Sequence, residues 1–239
     1  MIKIEKIYGR ITVKIFGAKL SFLLPARKKN KYISLGYNCF VRTILTRYGI
    51  KPRRKQGELS CPFDLLLVSP STIASLLENK FEGITSSLRH DEENDYWFND
   101  DINAAFFHDH GMSAEQIQAR YRKRAENFIN ISNKPEELKY IIVCKKNECK
   151  VSDLNRIYES LKSYRQDKPF KFIVSAFYYD TEKDCDIQSG LNPNIIYNQY
   201  KTEIPLHDFF MIWFSEKRFG DKKWIQNLYK NFIHDIVEA

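Results

Sequence analysis

The residue types that could do chemistry in this sequence centre on one cysteine and one histidine. Cys39 follows a short apolar run, residues 31–35, and the turn residue Gly36, and a helical pattern begins at or near it. A cysteine at a helix N-terminus lies beside unpaired backbone N–H groups and the positive end of the helix dipole, which favour a thiolate. His108 ends a predicted strand shortly before Gly111. We therefore expect Cys39 to act as nucleophile and His108 as its base.

Asn38 and Asp64 are the other two candidate catalytic residues. Asn38 directly precedes Cys39, so its side-chain amide could join the backbone N–H groups of the helix start in holding an oxyanion. Asp64 follows Pro62 and Phe63, which predict a rigid loop from which the carboxylate projects. The pattern leaves two interpretations of Asp64 open. One is a catalytic role, and the other is a helix cap or a partner for a buried arginine.

The remaining histidines offer alternative sites. His90 lies in a charged loop and His234 on the terminal helix, so both are discounted, whereas His110 and His207 stay open as partners. Alternate residues of a strand point the same way, so His108 and His110 could also hold a metal with Asp64 or Asp180. The competing interpretation is two surface histidines in a turn. We expect neither a metal nor a cofactor.

Other motif signals are weak or missing. Cys144 and Cys149 have a spacing that occurs in zinc loops, but no second cysteine pair accompanies them. Because Cys144 belongs to an apolar strand, a core cysteine is the better interpretation. The sequence contains no Walker-type loop, no GxGxxG and no GxSxG, so nucleotide-binding and serine-hydrolase functions lack their signals.

The charge distribution divides the chain into two parts. Residues 1–57 contain fifteen Lys and Arg against the single acid Glu5, whereas the remaining 182 residues contain 23 basic and 29 acidic side chains. A basic end on an acidic body suggests an anionic partner: lipid, nucleic acid or a phosphorylated substrate. A solubilising face without a partner is the alternative. The candidate substrate-binding residues are Arg53, Arg54, Arg120 and Arg124, and no nucleic-acid-binding motif is present.

Cysteine usage and hydropathy bear on the compartment. Five cysteines form an odd count without regular spacing, and the charged N-terminus does not resemble a signal peptide. The longest apolar runs, such as residues 209–214, are far too short to cross a bilayer. We therefore expect a cytoplasmic protein with free thiols, which could contact a membrane surface through its basic N-terminal region.

The element pattern predicts an α/β protein with a mixed, largely parallel sheet covered by helices and an N-terminal β-hairpin. Alternation in residues 2–24 predicts the hairpin with a third strand at 19–24, and 25–30 reads as a linker. We therefore expect a hairpin appendage at 1–25 and one α/β domain at 31–239. Buried strands are predicted at 140–144, 170–177, 195–197 and 209–214, and helices at 70–79, 113–131, 152–164 and 221–237. The acidic, aromatic segment 91–101 is predicted to be a loop.

Two segments of the first half carry a family resemblance. Ser34-Leu35-Gly36-Tyr37-Asn38-Cys39 and Ser60-Cys61-Pro62-Phe63-Asp64 resemble the opening signature of the bacterial putative papain-like cysteine peptidases, a family of otherwise unknown function. The segment from Phe106 to Asp109 and the basic helix from Arg120 through Phe128 are also similar. The resemblance spans about residues 31–215. The family usually has Trp after Pro-Phe-Asp, where this chain has Leu65.

The resemblance implies a thiol-dependent hydrolase or acyltransferase. Cys39 would be the nucleophile, His108 the base and Asp64 an orienting residue, and a papain-like α+β fold is the alternative architecture. Separately, residues 14–20 are similar to short leaders on bacterial proteins of surface-polysaccharide assembly. That second similarity implies an alternative function, an accessory protein or transferase that binds an anionic sugar precursor in place of a peptide substrate.

Overall fold

Ten strands and six helices make up the part of the chain that this computed structural model describes, residues 2–15, 18–23, 31–36, 38–179, 189–212 and 223–239. The strands are β1 (Ile2–Ile7), β2 (Arg10–Ile15), β3 (Ala18–Leu23), β4 (Tyr32–Ser34), β5 (Leu88–Asp91), β6 (Tyr96–Asn99), β7 (Ala104–Phe106), β8 (Leu138–Lys145), β9 (Phe170–Tyr179) and β10 (Ile195–Thr202). The helices are α1 (Phe40–Arg47), α2 (Pro70–Glu78), α3 (Ala114–Ser132), α4 (Val151–Arg165), α5 (Leu206–Ile212) and α6 (Lys223–Glu238).

A four-stranded parallel sheet forms the centre of the molecule. Its strand order is β10-β9-β8-β4, and each neighbouring pair runs parallel. The strands read as continuous apolar runs because helices cover both faces. The predicted α/β class with a largely parallel, helix-covered sheet is therefore confirmed, together with the N-terminal hairpin.

The sheet separates two hydrophobic cores. Side chains such as Ile142 and Val174 join residues of α2, α3 and α4 on one face. The neighbouring strand positions Ile141 and Ile173 face the other way and pack with α1, α5 and α6. Because side chains alternate along a strand, one run of apolar residues serves both cores.

The N-terminal strands β1, β2 and β3 form a separate antiparallel sheet. Its first turn contacts the rest of the chain at Gly9, whose N–H donates to the carbonyl of Tyr48 at 2.9 Å. A Cβ on Gly9 would lie 2.8 Å from the carbonyl oxygen of Gly49, so both positions need glycine for the two segments to approach this closely. The predicted linker, residues 25–30, lies outside the described residues. The boundary of a hairpin appendage at residue 25 therefore stays a prediction.

Two predicted elements differ from the structure. Residues 209–214 were expected as a strand, but their described part belongs to α5, since Leu206, Phe209 and Phe210 are buried at helical spacing. Residues 91–101 were expected as a loop, but β5 and β6 pair there as a hairpin, joined by β7. Among the described helices, none is both long and apolar enough to cross a lipid bilayer.

The cysteines also differ from the expectation of free thiols throughout. Cys144, at the end of β8, and Cys149 form a disulfide, with their Cα atoms 6.4 Å apart. The short 3-10 helix Lys146–Glu148 turns the chain back, which brings the two sulfurs together. Cys39 and Cys61 are thiols rather than disulfide-bonded cysteines. Cys185 lies outside the described residues.

Arg165 is a fully buried charge that joins three segments at the base of the sheet. Its two terminal nitrogens donate to the carbonyl oxygens of Ser132, Lys134, Glu136 and Pro169, at 2.7–2.8 Å. The planar guanidinium gives a donor to each of these four carbonyls, and the carbonyl of Pro169 also accepts from the N–H of Leu138 at 3.3 Å. It therefore holds the ends of α3 and α4 to the starts of β8 and β9.

We expect Arg165→Lys to destabilise the protein by about 3–5 kcal/mol, because one ammonium group cannot reach four carbonyls and the buried network is left open. Urea denaturation followed by circular dichroism measures the loss. Lys162→Met on the exposed face of the same helix is the matched control and should change the free energy of unfolding by less than about 0.5 kcal/mol. Equal stability of Arg165→Lys and the wild type would contradict the role of the network.

Candidate active site

Cys39 occupies the N-cap of α1, directly after the carboxyl end of β4. Its carbonyl accepts the first helical hydrogen bond, from the N–H of Thr43 at 3.0 Å. Gly36 makes the turn between strand and helix with φ of +104°, and a Cβ there would press on Ile73 and Val68 at 3.3 and 3.4 Å. Tyr37 lies outside the described residues. The predicted arrangement of strand, glycine turn and cysteine at a helix start is therefore present.

Cys39 is buried at the start of the helix, with only 4% of the residue exposed. Counted at helical spacing from Val41, it lies opposite the apolar stripe of α1. The N-cap precedes the helical backbone, and Cys39 has φ −72° and ψ 2°. Spacing counted from Val41 therefore does not give its side-chain direction.

Asn38 caps the same helix. Its Oδ1 accepts a hydrogen bond from the N–H of Phe40 at 2.8 Å, which satisfies one of the free donors of the first turn. The side-chain oxygen is thus committed to the helix and fixes the orientation of the amide. The NH₂ group is the part of Asn38 that could donate to an oxyanion.

Asp64 is the buried partner of an arginine on α1. Asp64 is fully buried in the 3-10 helix Pro62–Asp64, and its Oδ2 accepts from Nη1 of Arg42 and from the N–H of Cys61, the latter at 2.9 Å. Of the two interpretations of Asp64, the structure contains the arginine partner and the cap. The carboxylate and burial together raise the pKa of the Cys61 thiol, burial being the larger cause, so Cys61 stays protonated.

Ser60 connects this pair to α3. Its hydroxyl accepts from Nη1 of Arg42 at 2.9 Å, and its carbonyl accepts from Nδ2 of Asn127 at 3.0 Å. Arg42 lies one turn after Cys39, and Asn127 lies one turn after Arg124. The start of α1 and the basic face of α3 are therefore joined through residues 60–64.

His108 lies in a turn just beyond β7, which ends at Phe106, two residues before the predicted strand end. The adjacent Asp109 is fully buried and anchors the turn to α3. One carboxylate oxygen accepts from Nη1 of Arg120, and the other accepts from the Tyr121 hydroxyl at 3.1 Å. The imidazole of His108 remains accessible to solvent.

The surroundings of His108 favour its neutral form. Partial desolvation is the main cause that lowers the pKa of His108 below its usual 6.5. The Asp109 carboxylate opposes this shift, whereas His110 and Arg124 add to it. A neutral imidazole can accept a proton, so His108 is ready to act as a base at neutral pH.

A cleft of about 340 Å³ lies between the 3-10 helix Arg54–Gln56, the segment after it and α3. Three of the four predicted substrate-binding arginines line it, namely Arg54, Arg120 and Arg124. Arg53 does not line it and instead caps the 3-10 helix, where its N–H donates to Oε1 of Gln56 at 2.7 Å. The other lining residues are Glu58, Leu59, Ser60, Lys123 and Asn127.

The alternative histidines have other contacts. Nδ1 of His110 lies 2.6 Å from the carbonyl oxygen of Asp95, and Nδ1 of His234 lies 3.3 Å from the Tyr8 hydroxyl. His207 is exposed on α5. Within the described ranges, no three His, Cys, Asp or Glu side chains are grouped to hold a metal. Asp180, proposed as a ligand in the metal alternative, lies outside those ranges.

Sequence reasoning missed three residues that build the site: Arg42, Asp109 and Asn127. Each makes its key contact with a residue at least 11 positions away, across the gap between α1, residues 60–64 and α3. Arg42 interrupts the apolar positions of its helix, which is a weak signal because exposed arginines do the same. Asp109 stood between two histidines and was considered only as part of their spacing.

Comparison with known proteins identifies the family. Residues 30–181 match the family model described as "Putative papain-like cysteine peptidase", and this range includes Cys39, Asp64, His108 and Arg124. Neither the curated proteins nor the solved structures gave a match. Since the family model covers more than half of the 239 residues, the chain belongs to the putative papain-like cysteine peptidase family.

Proposed function

We propose that the protein is a thiol-dependent hydrolase or acyltransferase with Cys39 as its nucleophile. The observation that supports this best is the position of Cys39 at the N-cap of α1, after a strand of a rigid parallel sheet. Helix N-termini stabilise a thiolate through the dipole and the free N–H groups. In open parallel sheets, this carboxyl edge is where ligands bind.

The proposed reaction is a two-step acyl transfer. Sγ of Cys39 attacks the acyl carbon while His108 accepts the thiol proton, and His108 then gives that proton to the leaving group as the acyl bond breaks. Water or a second acceptor, deprotonated by His108, then attacks the acyl carbon. The bond from that carbon to sulfur breaks, and His108 returns the proton to Sγ of Cys39. Backbone N–H groups at the start of α1 and the NH₂ group of Asn38 hold the oxyanion.

The lowered pKa of His108 supports a general-base step. An imidazolium that already paired with a thiolate would have a raised pKa, since the negative sulfur stabilises the charged ring. Desolvation and the Arg124 guanidinium instead disfavour the charged ring. The resting site is therefore proposed to hold a neutral imidazole and a thiol, with the proton moving as the bond to carbon forms.

Asp64 enters this proposal as a positioning residue. Its carboxylate holds Arg42, one turn after Cys39, and its contact with Cys61 fixes the loop on the other side. The orienting effect therefore runs through α1 to Cys39, and the residue that holds the turn of His108 is Asp109, through Arg120 and Tyr121. In this proposal, the orienting role that the resemblance implies for Asp64 acts on Cys39.

A second function is favoured by the grouping of Arg54, Arg120 and Arg124 in one cleft. It is an accessory protein or transferase of bacterial surface-polysaccharide biosynthesis that binds an anionic sugar precursor, with Cys39 and Asp64 in structural roles. The two functions differ over the thiol. Cys39→Ser should abolish turnover in the first, whereas in the second it should leave function intact and charge reversal at Arg120 should remove it.

We expect iodoacetamide to label Cys39 at least about tenfold faster than Cys61 at pH 7. The helix start favours the thiolate at Cys39, whereas burial and the Asp64 carboxylate raise the pKa of Cys61. Peptide mapping by mass spectrometry, at several times of reaction with the native protein, gives both rates. Cys61 is the matched control, since it is also a buried thiol. Equal rates, or faster labelling of Cys61, would refute the nucleophile assignment.

His108 should titrate below pH 6.5 in NMR spectra of the histidine ring protons, since desolvation and Arg124 disfavour its charged form. His108→Gln should slow alkylation of Cys39 about tenfold or more at pH 7, because the base is removed. His110→Gln, two residues away and bonded to Asp95, is the control and should leave the rate unchanged. If His110→Gln slows the reaction and His108→Gln does not, the base is misassigned.

A further inference from the structure

Arg124 is a buried cation with an unused donor. Only 6% of the residue is exposed, and its Nη1 has no hydrogen-bond partner among the described residues. The guanidinium stacks on the ring of Tyr121, with its carbon 4.6 Å from the ring centre, which fixes its orientation. A buried charge without a counter-ion is costly, so a donor of this kind is suited to binding an anion.

The other charges of the cleft leave an excess of positive charge around Arg124. Arg120 is matched by Asp109, and Glu58 is matched by Lys51 at 2.5 Å. No carboxylate in the described part of the chain forms an ion pair with Arg54 or Arg124. Lys123 lies at the rim and is matched by Glu126 on the exposed surface of α3, at 3.0 Å.

We propose that this cleft, lined by Arg54, Arg120, Lys123 and Arg124, is a binding site for the phosphate group of a small-molecule ligand. Two unmatched guanidinium groups suit a dianion better than a single carboxylate. Arg124 provides a buried donor, and Arg54 provides an exposed one on the other side of the cleft. Asn127 and Ser60 line the same cleft and offer neutral polar contacts.

The site lies near the proposed catalytic base, because the Tyr121 ring that stacks with Arg124 also donates its hydroxyl to Asp109, the neighbour of His108. A phosphate bound to Arg124 would offset its positive charge and raise the pKa of His108. Binding does not depend on the reactivity of Cys39. The inference therefore concerns what the protein recognises and holds whether or not the thiol is a nucleophile.

The test is isothermal titration calorimetry of the full chain with inorganic phosphate at pH 7.5, at constant ionic strength set with chloride. We expect saturable binding of one phosphate, and we expect acetate to bind at least about tenfold more weakly, since it brings one negative charge in place of two. Arg124→Met should weaken phosphate binding at least about tenfold. Acetate binding as tightly as phosphate would assign the cleft to carboxylates and overturn the phosphate proposal.

Arg54→Gln is a second test of the site that does not depend on the folding of the buried variant Arg124→Met. Because Arg54 is exposed, we expect its loss to leave the fold intact. The substitution should weaken phosphate binding about threefold to tenfold. Lys162→Met, an exposed cation of α4 that does not line the cleft, is the matched control and should change nothing. Unaltered phosphate affinity in both Arg54→Gln and a folded Arg124→Met, or no saturable binding by the wild type, would refute the site.

A second readout separates this inference from the thiol chemistry. Saturating phosphate should raise the NMR titration midpoint of His108 in the wild type and in Cys39→Ser alike. Cys39→Ser should bind phosphate with unchanged affinity. If phosphate does not bind while iodoacetamide still labels Cys39 rapidly, the phosphate proposal alone is refuted. If phosphate binds while Cys39 is labelled no faster than Cys61, the nucleophile assignment alone is refuted.

Discussion

The buried ion pair between Arg42 and Asp64 is the constraint on which the site depends. It joins α1, which begins at Cys39, to the 3-10 helix Pro62–Asp64, and Ser60 extends the connection to Asn127 of α3. Removing either partner would leave a charge in a nearly dry interior, at a cost of about 3–5 kcal/mol. The position of Cys39 relative to α3 therefore depends on this polar contact together with the packing of Phe63 against Phe128 of α3, whose ring centres are 6.5 Å apart.

Two further buried pairs repeat this arrangement around the cleft. Lys51 donates to the Tyr32 carbonyl and pairs with Glu58, which fixes the loop of Arg53 and Arg54 to the start of β4. Asp109 accepts from Arg120 and Tyr121, which fixes the turn of His108 to α3. Each loop near the site is thus held by one internal charge pair. Arg124 differs from these pairs in having no carboxylate partner among the described residues. Unlike the buried Arg165, whose terminal nitrogens donate to four carbonyls, it keeps one terminal nitrogen without a hydrogen-bond partner there.

Local signals in the sequence predicted the framework well. The capping box at Ser113, the proline at the first position of α2 and the continuous apolar strands each have a physical cause within a few residues, and all are present. The secondary structure of residues 206–212 and 88–99 was harder to predict. An aromatic run such as Phe209–Phe210 suits a strand or a buried helix equally, and tertiary packing decides between them. The hairpin of β5 and β6 depends on pairing that a charged turn obscures.

The partners of the charged side chains could not be predicted, because nothing in the sequence relates Arg42 to Asp64, 22 positions apart, or Asn127 to Ser60, 67 apart. Residue type therefore identified the candidate residues in the sequence, whereas their partners became clear only from the contacts in the structure. Asp64 is the clearest example. Its place after Pro62 and Phe63 suggested a projecting carboxylate, but burial directs it inward to an arginine.

The proposed base and the cleft share contacts, because Tyr121 stacks with Arg124 and donates to Asp109, the neighbour of His108. Desolvation is the main cause that disfavours the charged form of His108, and Arg124 adds to it. A dianion at Arg124 would reverse that influence, so that the ring accepts a proton more readily once ligand is present. Proton transfer from Cys39 would then become easier only with an occupied cleft.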